Sequence, residues 1–227
     1  MTKKVDFDDY TESYNQLLKV GTGFFSSSEE YFAKYKVDLV RLMVDGSVSR
    51  VLEYGCGIGR NIPFLKAAFP SASIMGTDIS AVSLEIARRG NADIDFFLVS
   101  ENAESETLFD LIFVAGVFHH IPVLEREGVA KTLCNRLSPS GQLFIFEHNP
   151  FNPVTRRIVN NCPYDEDAVL LKPSELKRIL RKAGLNVEHK AYCLFVPPSL
   201  SVLAWMESKL GWLPLGGQYW VQARRSI

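Results

Sequence analysis

Cysteine is scarce in this chain. The four present, Cys56, Cys134, Cys162 and Cys193, are scattered and make no CxxC pair or Cys/His ligand spacing. That excludes a disulfide framework and a structural zinc site; reduced thiols and no metal are expected, as in a cytoplasmic protein. Long apolar runs are also missing. No stretch reaches the roughly 18 apolar residues that a membrane span needs, so none is expected. Neither sign of charge is in excess, with 25 lysines and arginines against 26 acidic residues. A nucleic-acid partner held on a general basic face is therefore not expected. The opening MTKKVDFDDY is charged throughout and lacks the apolar core of a signal peptide. No internal repeat or low-complexity tract occurs.

The chain does have apolar residues in quantity, 47% of its 227 positions, enough for one compact domain with additions. From about residue 48 onward, short strand-like runs alternate with helix-like or polar segments. The runs are RVLEYG (50–55), SIMGTD (73–78), IDFFLV (94–99), FDLIFVAG (109–116) and QLFIFEH (142–148). They lack strict polar alternation, the mark of strands buried on both faces. In the fourth link Val129, Leu133 and Leu137 recur every four residues, and SPSG then ends the predicted helix. The third link, SENAESETL, reads as loop. This pattern predicts an α/β fold with a mainly parallel sheet and helices on both faces. Upstream, Phe32, Tyr35, Leu39, Leu42 and Met43 predict one apolar face of a helix at about 30–44. Downstream, Pro173 opens a helix with Leu176, Ile179 and Leu180 on one face and Gly184 as its C-cap. Strand-like LNVEHKAYCLFV, an apolar helix around 199–210 and a last strand QYWVQARR follow.

The stretch VLEYGCGIGR (51–60) carries the chemistry. A strand runs into Gly55, Gly57 and Gly59 and then a helix. Glycines there let a ligand approach the backbone, and the helix start favours an anionic group. Asp78 ends the second strand, where a carboxylate can accept hydrogen bonds from the hydroxyls of a ribose. The loop reads G-x-G-x-G, one residue short of the dinucleotide fingerprint. Glu53 also sits poorly beside a pyrophosphate and well beside an ammonium group. S-adenosylmethionine offers a ribose, an ammonium, a carboxylate and a sulfonium, so Glu53, Asp78 and the loop suit it.

The chain resembles the class I S-adenosylmethionine-dependent methyltransferases. VLEYGCGIGR is similar to their first motif and IMGTDIS to their second. FDLIFVAGVFHHI is similar to the fourth-strand motif and LSPSGQLFIFEH to the turn into the fifth strand. The resemblance implies a Rossmann-like, seven-stranded, mostly parallel sheet with the last strand antiparallel between the fifth and sixth. It implies S-adenosyl-L-methionine held by Glu53, Tyr54, Gly55, Cys56, Gly57, Gly59, Asp78, Ile79, Ala115 and Gly116. Either Glu101 or Asn102 would meet the adenine. One domain, 1–227, is expected, with an N-terminal helical cap (1–47), a cofactor-binding core (48–148) and a substrate-side segment with the last strands (149–227).

Methyl transfer is an in-line displacement, and a general base is needed only where the acceptor must lose a proton. His148, Glu147 and His120 are the candidate catalytic residues, at the ends of strands four and five, with His119 beside them; His120 alternatively packs as a structural group. Arg156 is a candidate clamp for an anionic substrate, or a solvated helix residue. Tyr10 and Tyr14 share a helical face and are candidates for a lid over the substrate. NPFNP and NCPY fail as base-modifying motifs, because the residues and position differ. Trp205, Met206, Leu210, Trp212 and Leu213 are too many large groups for one helix–core contact. They line an apolar pocket, pack on a second copy or touch a membrane surface, the first two being preferred. The leading expectation is a methyltransferase acting on a small, apolar or lipid-linked acceptor, as monomer or homodimer. A non-catalytic nucleoside-binding scaffold of the same fold and a nicotinamide-dependent oxidoreductase are the alternatives.

Overall fold

The computed structural model describes residues 29–101 and 106–226. Tyr10, Tyr14 and Asn102, and with them the lid reading, lie outside the described residues. The elements run in order as α1 (Glu29–Met43), β1 (Arg50–Tyr54), α2 (Ile62–Ala68), β2 (Ser73–Asp78), α3 (Ala81–Gly90) and β3 (Asp95–Leu98). Next come β4 (Phe109–Ala115), α4 (Arg126–Arg136), β5 (Leu137–His148), α5 (Pro153–Asn161), α6 (Pro173–Lys182), β6 (Leu185–Cys193) and β7 (Gln218–Arg225). The seven strands form one sheet in the order β3-β2-β1-β4-β5-β7-β6. β1 to β5 pair in parallel, and β7 runs antiparallel to both β5 and β6. This is the sheet that the resemblance implies.

Alternation along the central strands builds two apolar layers. Ile112, Val114, Leu143 and Ile145 face one layer with Ala130 and Leu133 of α4 and Leu176 and Leu180 of α6. Leu111, Phe113, Phe144 and Phe146 face the other with Val37 and Val40 of α1, Ile62 and Leu65 of α2 and Leu84 of α3. Both faces are thus covered, which is why these strands read as unbroken apolar runs. Their carboxyl ends, where β1 and β2 hand over to β4, open onto a crevice, the usual ligand position in such sheets.

Three details differ from the sequence reading. The buried stripe of α1 centres on Ala33, Val37 and Val40, while Leu42 is exposed. Ala33 is too small to mark a face by pattern, so the larger flanking side chains shift the apparent stripe. Leu137 is not in α4 but opens β5, where its backbone pairs with Phe109. The apolar segment Pro198–Lys209 is 3₁₀ rather than α-helical and is broken at Leu200, whose φ is −109° and ψ 37°. The prolines at 197 and 198 stand at its N-cap and first position, where they are tolerated, so they mark its start and do not account for the break.

Candidate active site

The crevice deepens into a cavity of about 430 Å³, within the usual range for small-ligand sites. At one end stand the residues after β1 and β2: Tyr54, Gly55, Cys56, Gly57, Asn61, Asp78 and Ile79. Ala115 ends β4 and Gly116 follows it. Gly57 has φ +52°, and a Cβ there would enter open cavity space. The backbone at that point is therefore free to be approached. Asp78 shapes the turn: Oδ2 accepts from Gly57 N–H at 2.7 Å and Oδ1 from Ser80 N–H at 2.9 Å. The same side chain lines the cavity.

Glu53 lies behind this end and is fully buried. Its Oε1 accepts from Asn61 Nδ2 at 2.5 Å, and Oε2 has no hydrogen-bond partner. Burial pushes its carboxyl up to about 8, against the opposing effects of Asn61 and the Lys36 ammonium. A buried acid kept short of donors is mostly protonated when alone, and a cation placed beside its open oxygen would favour the ionised form. Lys36, half-buried on α1, also lines the cavity, and burial lowers it to about 8.

Some predicted cofactor residues stand off the cavity. Gly59 lines none of it; a Cβ there would sit 3.1 Å from that of Ala87, so this glycine lets α3 pack close to the loop. Glu101 is exposed and caps its own turn by accepting from Leu98 N–H at 3.2 Å, while Val99 reaches the cavity.

The other end of the cavity is built from the loop after β4, the end of β5 and the segment 162–165. Val117, Ile121, Pro122 and Val129 supply apolar wall, and His119, His120, His148, Cys162, Tyr164 and Asp165 the polar groups. Glu147 and His148 are neighbours on β5, so their side chains part to opposite sides. His148 faces the cavity, its ring centroid 4.9 Å from that of His119. Glu147 does not line it. Its Oε1 accepts from Val117 N–H (3.1 Å) and Phe118 N–H (2.7 Å), and its Oε2 meets His119 Nδ1 at 2.6 Å. The structure thus corrects Glu147 from a catalytic to a positioning residue: its oxygens are taken up in holding the loop that carries His119.

Protonation follows from this packing. Burial alone would lower His119, but the Glu147 carboxylate and Asp165 outweigh it and raise the imidazole to about 9. Burial, with the His119 charge adding to it, lowers His148 to about 4. Burial opposes the ionisation of Asp165, but hydrogen bonding to His119 and His120 prevails and holds its carboxyl well below the usual range. His148 is accordingly neutral at pH 7, beside a cationic pair partner of Glu147.

Arg126 fixes the two walls together. It is fully buried, donating from Nε to Ile121 O (2.9 Å) and from Nη2 to Val169 O (2.7 Å). Val169 N–H in turn donates to His119 O at 2.8 Å. Asp165 is thereby carried to the histidines, 3.3 Å from His120 Nε2 and 3.7 Å from His119 Nε2. Sequence reasoning missed Asp165, Lys36, Asn61 and Arg126. The lack of a periodic pattern around 162–171, where a single 3₁₀ turn (Pro163–Asp165) forms, hides Asp165, and a single arginine on a helix looks solvated.

Arg156 is exposed on α5 and does not line the cavity, so its place corrects the clamp reading. Nor do Trp205, Met206, Leu210, Trp212 or Leu213 line it; Trp205 and Trp212 are 61% and 74% exposed. Among the described residues that segment gives no wall to this cavity. Among the described residues no helix is long and apolar enough to cross a membrane.

A family model described as a methyltransferase domain matches residues 28–190. An uncharacterised protein of Synechococcus sp. is 40% identical over 105 residues, which take in 43% of this chain but only 25% of that protein. The ubiquinone biosynthesis O-methyltransferase of Chromobacterium violaceum is 26% identical over 186 residues, 73% of this chain and 78% of the relative. Among solved structures, a possible histamine N-methyltransferase of Thermotoga maritima aligns over 96% of this chain and 97% of its own, with TM-score 0.68 and 19% identity, a likeness of fold.

Proposed function

The chain belongs to the class I S-adenosylmethionine-dependent methyltransferases, and on that premise we propose that it methylates a hydroxyl oxygen of a small, largely apolar acceptor. It is an enzyme with S-adenosyl-L-methionine as cofactor, which sets aside the scaffold and nicotinamide readings. The residues at the β1–β2 end suit that cofactor, since the partnerless Oε2 of Glu53 and the open face of Gly57 match an ammonium and a close-lying ligand. When bound, the cofactor supplies an electrophilic methyl group. Asp78 would hold the ribose, Asn61 and Glu53 the ammonium, and the backbone at the end of β4, Ala115 and Gly116, would flank it.

One observation carries the choice of oxygen: His148, a neutral imidazole, faces the acceptor end of the cavity. It can accept a hydrogen bond from a hydroxyl and take its proton as the carbon–oxygen bond forms. The apolar wall of Val117, Ile121, Pro122 and Val129 excludes water from the reacting atoms and favours an acceptor with a hydrocarbon or ring body. The relative named for ubiquinone biosynthesis, an O-methyltransferase, supports the same reading. His148→Gln should lower turnover roughly 100-fold or more with the cofactor dissociation constant unchanged. The measurement is turnover over a panel of apolar phenols, alcohols and amines, with calorimetry for the cofactor. Turnover of amines alone, or an unaffected His148→Gln variant, would reverse the assignment.

A further inference from the structure

We propose that His119, His120 and Asp165 form a binding site for one divalent transition-metal ion at the acceptor end of the cavity. The sequence suggests no metal site, because the two histidines are adjacent and no spaced ligand set exists. The fold supplies the third group. The donor atoms of all three lie within 4.8 Å of one another. Asp165 Oδ1 is 3.3 Å from His120 Nε2 and 3.7 Å from His119 Nε2. Ligands bound about 2.0–2.2 Å from a tetrahedral ion stand roughly 3.3–3.6 Å apart, close to the two Asp165 distances, and the histidine donors, within 4.8 Å, would have to close by no more than about 1.5 Å.

The surroundings point the same way. A metal-ligating histidine presents one ring nitrogen to the ion and donates the other N–H to a carboxylate or carbonyl. Glu147 Oε2 is 2.6 Å from His119 Nδ1, and Glu147 is itself locked by two backbone N–H groups. Asp167 Oδ1 lies 3.7 Å from His120 Nδ1. His119 therefore has a carboxylate hydrogen-bonded behind Nδ1, while Asp167 Oδ1 stands beyond hydrogen-bond reach of His120 Nδ1, and both rings turn Nε2 towards the same Asp165 oxygen. All three ligands line the cavity, so further coordination positions would be open to it, as in catalytic rather than structural sites. Two imidazoles with one carboxylate select ions such as Zn²⁺, Co²⁺ or Fe²⁺ over Mg²⁺ and Ca²⁺, which prefer all-oxygen ligands. Binding would displace any proton on the two Nε2 atoms. The ion could hold the acceptor oxygen next to His148; that role rests on the hydroxyl reading above, whereas the site itself does not.

Titration of the untagged, metal-stripped chain with CoCl₂ followed by its visible absorption, and with ZnCl₂ by calorimetry, tests the site without any methyl transfer. One ion per chain is expected, with millimolar MgCl₂ failing to compete. Asp165→Asn and His120→Gln should each weaken binding at least about 10-fold, and Glu147→Gln about 10–100-fold. His189→Gln, at an exposed histidine, should bind as the wild type does. S-adenosylmethionine affinity, retained in Asp165→Asn or His120→Gln, shows that the variant is folded. No saturable uptake by folded wild type, meaning that Asp165 pairs only with protonated histidines, overturns the proposal. So does wild-type stoichiometry and affinity in both Asp165→Asn and His120→Gln.

Discussion

Asp78 does two jobs that a sequence motif cannot separate. Its oxygens hold the Gly57 and Ser80 N–H groups, and the side chain also lines the cavity. Asp78→Ala should therefore weaken S-adenosylmethionine binding by about 1–3 kcal/mol, roughly 5- to 150-fold in dissociation constant, which calorimetry would read. Glu53 gives a pH signature. Burial raises its carboxyl from an ordinary 4.5 to about 8 in the folded chain. Between those values the folded form keeps a proton that the unfolded chain releases. Its contribution to stability must fall as pH rises from about 4.5 to about 8 and stay level above. Urea unfolding of wild type and Glu53→Gln isolates it: the wild type should lose stability relative to the variant across that window. A constant difference would mean that Glu53 is already ionised in the fold.

At the level of elements, α4 matters because of one side chain. Arg126 holds the carbonyls of Ile121 and Val169 and so fastens the Asp165 segment to the histidine loop. Arg126→Met keeps the length but removes the donors to the Ile121 and Val169 carbonyls and the partner of Glu175, each contact to a charged group being worth about 1.5–3 kcal/mol. A loss of about 2–4 kcal/mol in urea unfolding is expected, with turnover falling more than cofactor affinity, because the β1–β2 end is not touched. The same contrast explains what the sequence discloses. β1, its glycine loop and Asp78 are legible because strand, turn and helix follow within a few residues, each with its own local signal. The partnership of Glu147 with His119 is half-legible: alternation along β5 says that Glu147 and His148 cannot both face the cavity, but not which does. Asp165 is not legible, because it arrives through tertiary contacts from a segment without periodicity.

For the whole molecule, the open question in the sequence is the cluster of large apolar groups before β7. Trp205, in the broken 3₁₀ segment, and Trp212, just after it, are exposed and off the cavity. Trp205→Ser and Trp212→Ser should keep S-adenosylmethionine affinity and turnover of a water-soluble acceptor within about twofold, since surface changes away from the site are near neutral. A loss of turnover in steady-state assay would place them at the acceptor after all. Sheet order has its own consequence. β7 is inserted between β5 and β6, yet both precede it in the chain, and His148 pairs with Gln218, which also lines the cavity. During synthesis on the ribosome, the inner edges of both earlier strands must wait unpaired until β7 emerges. The nascent protein thus completes its reaction chamber last, and that interval is when it is most exposed to mispairing with other chains.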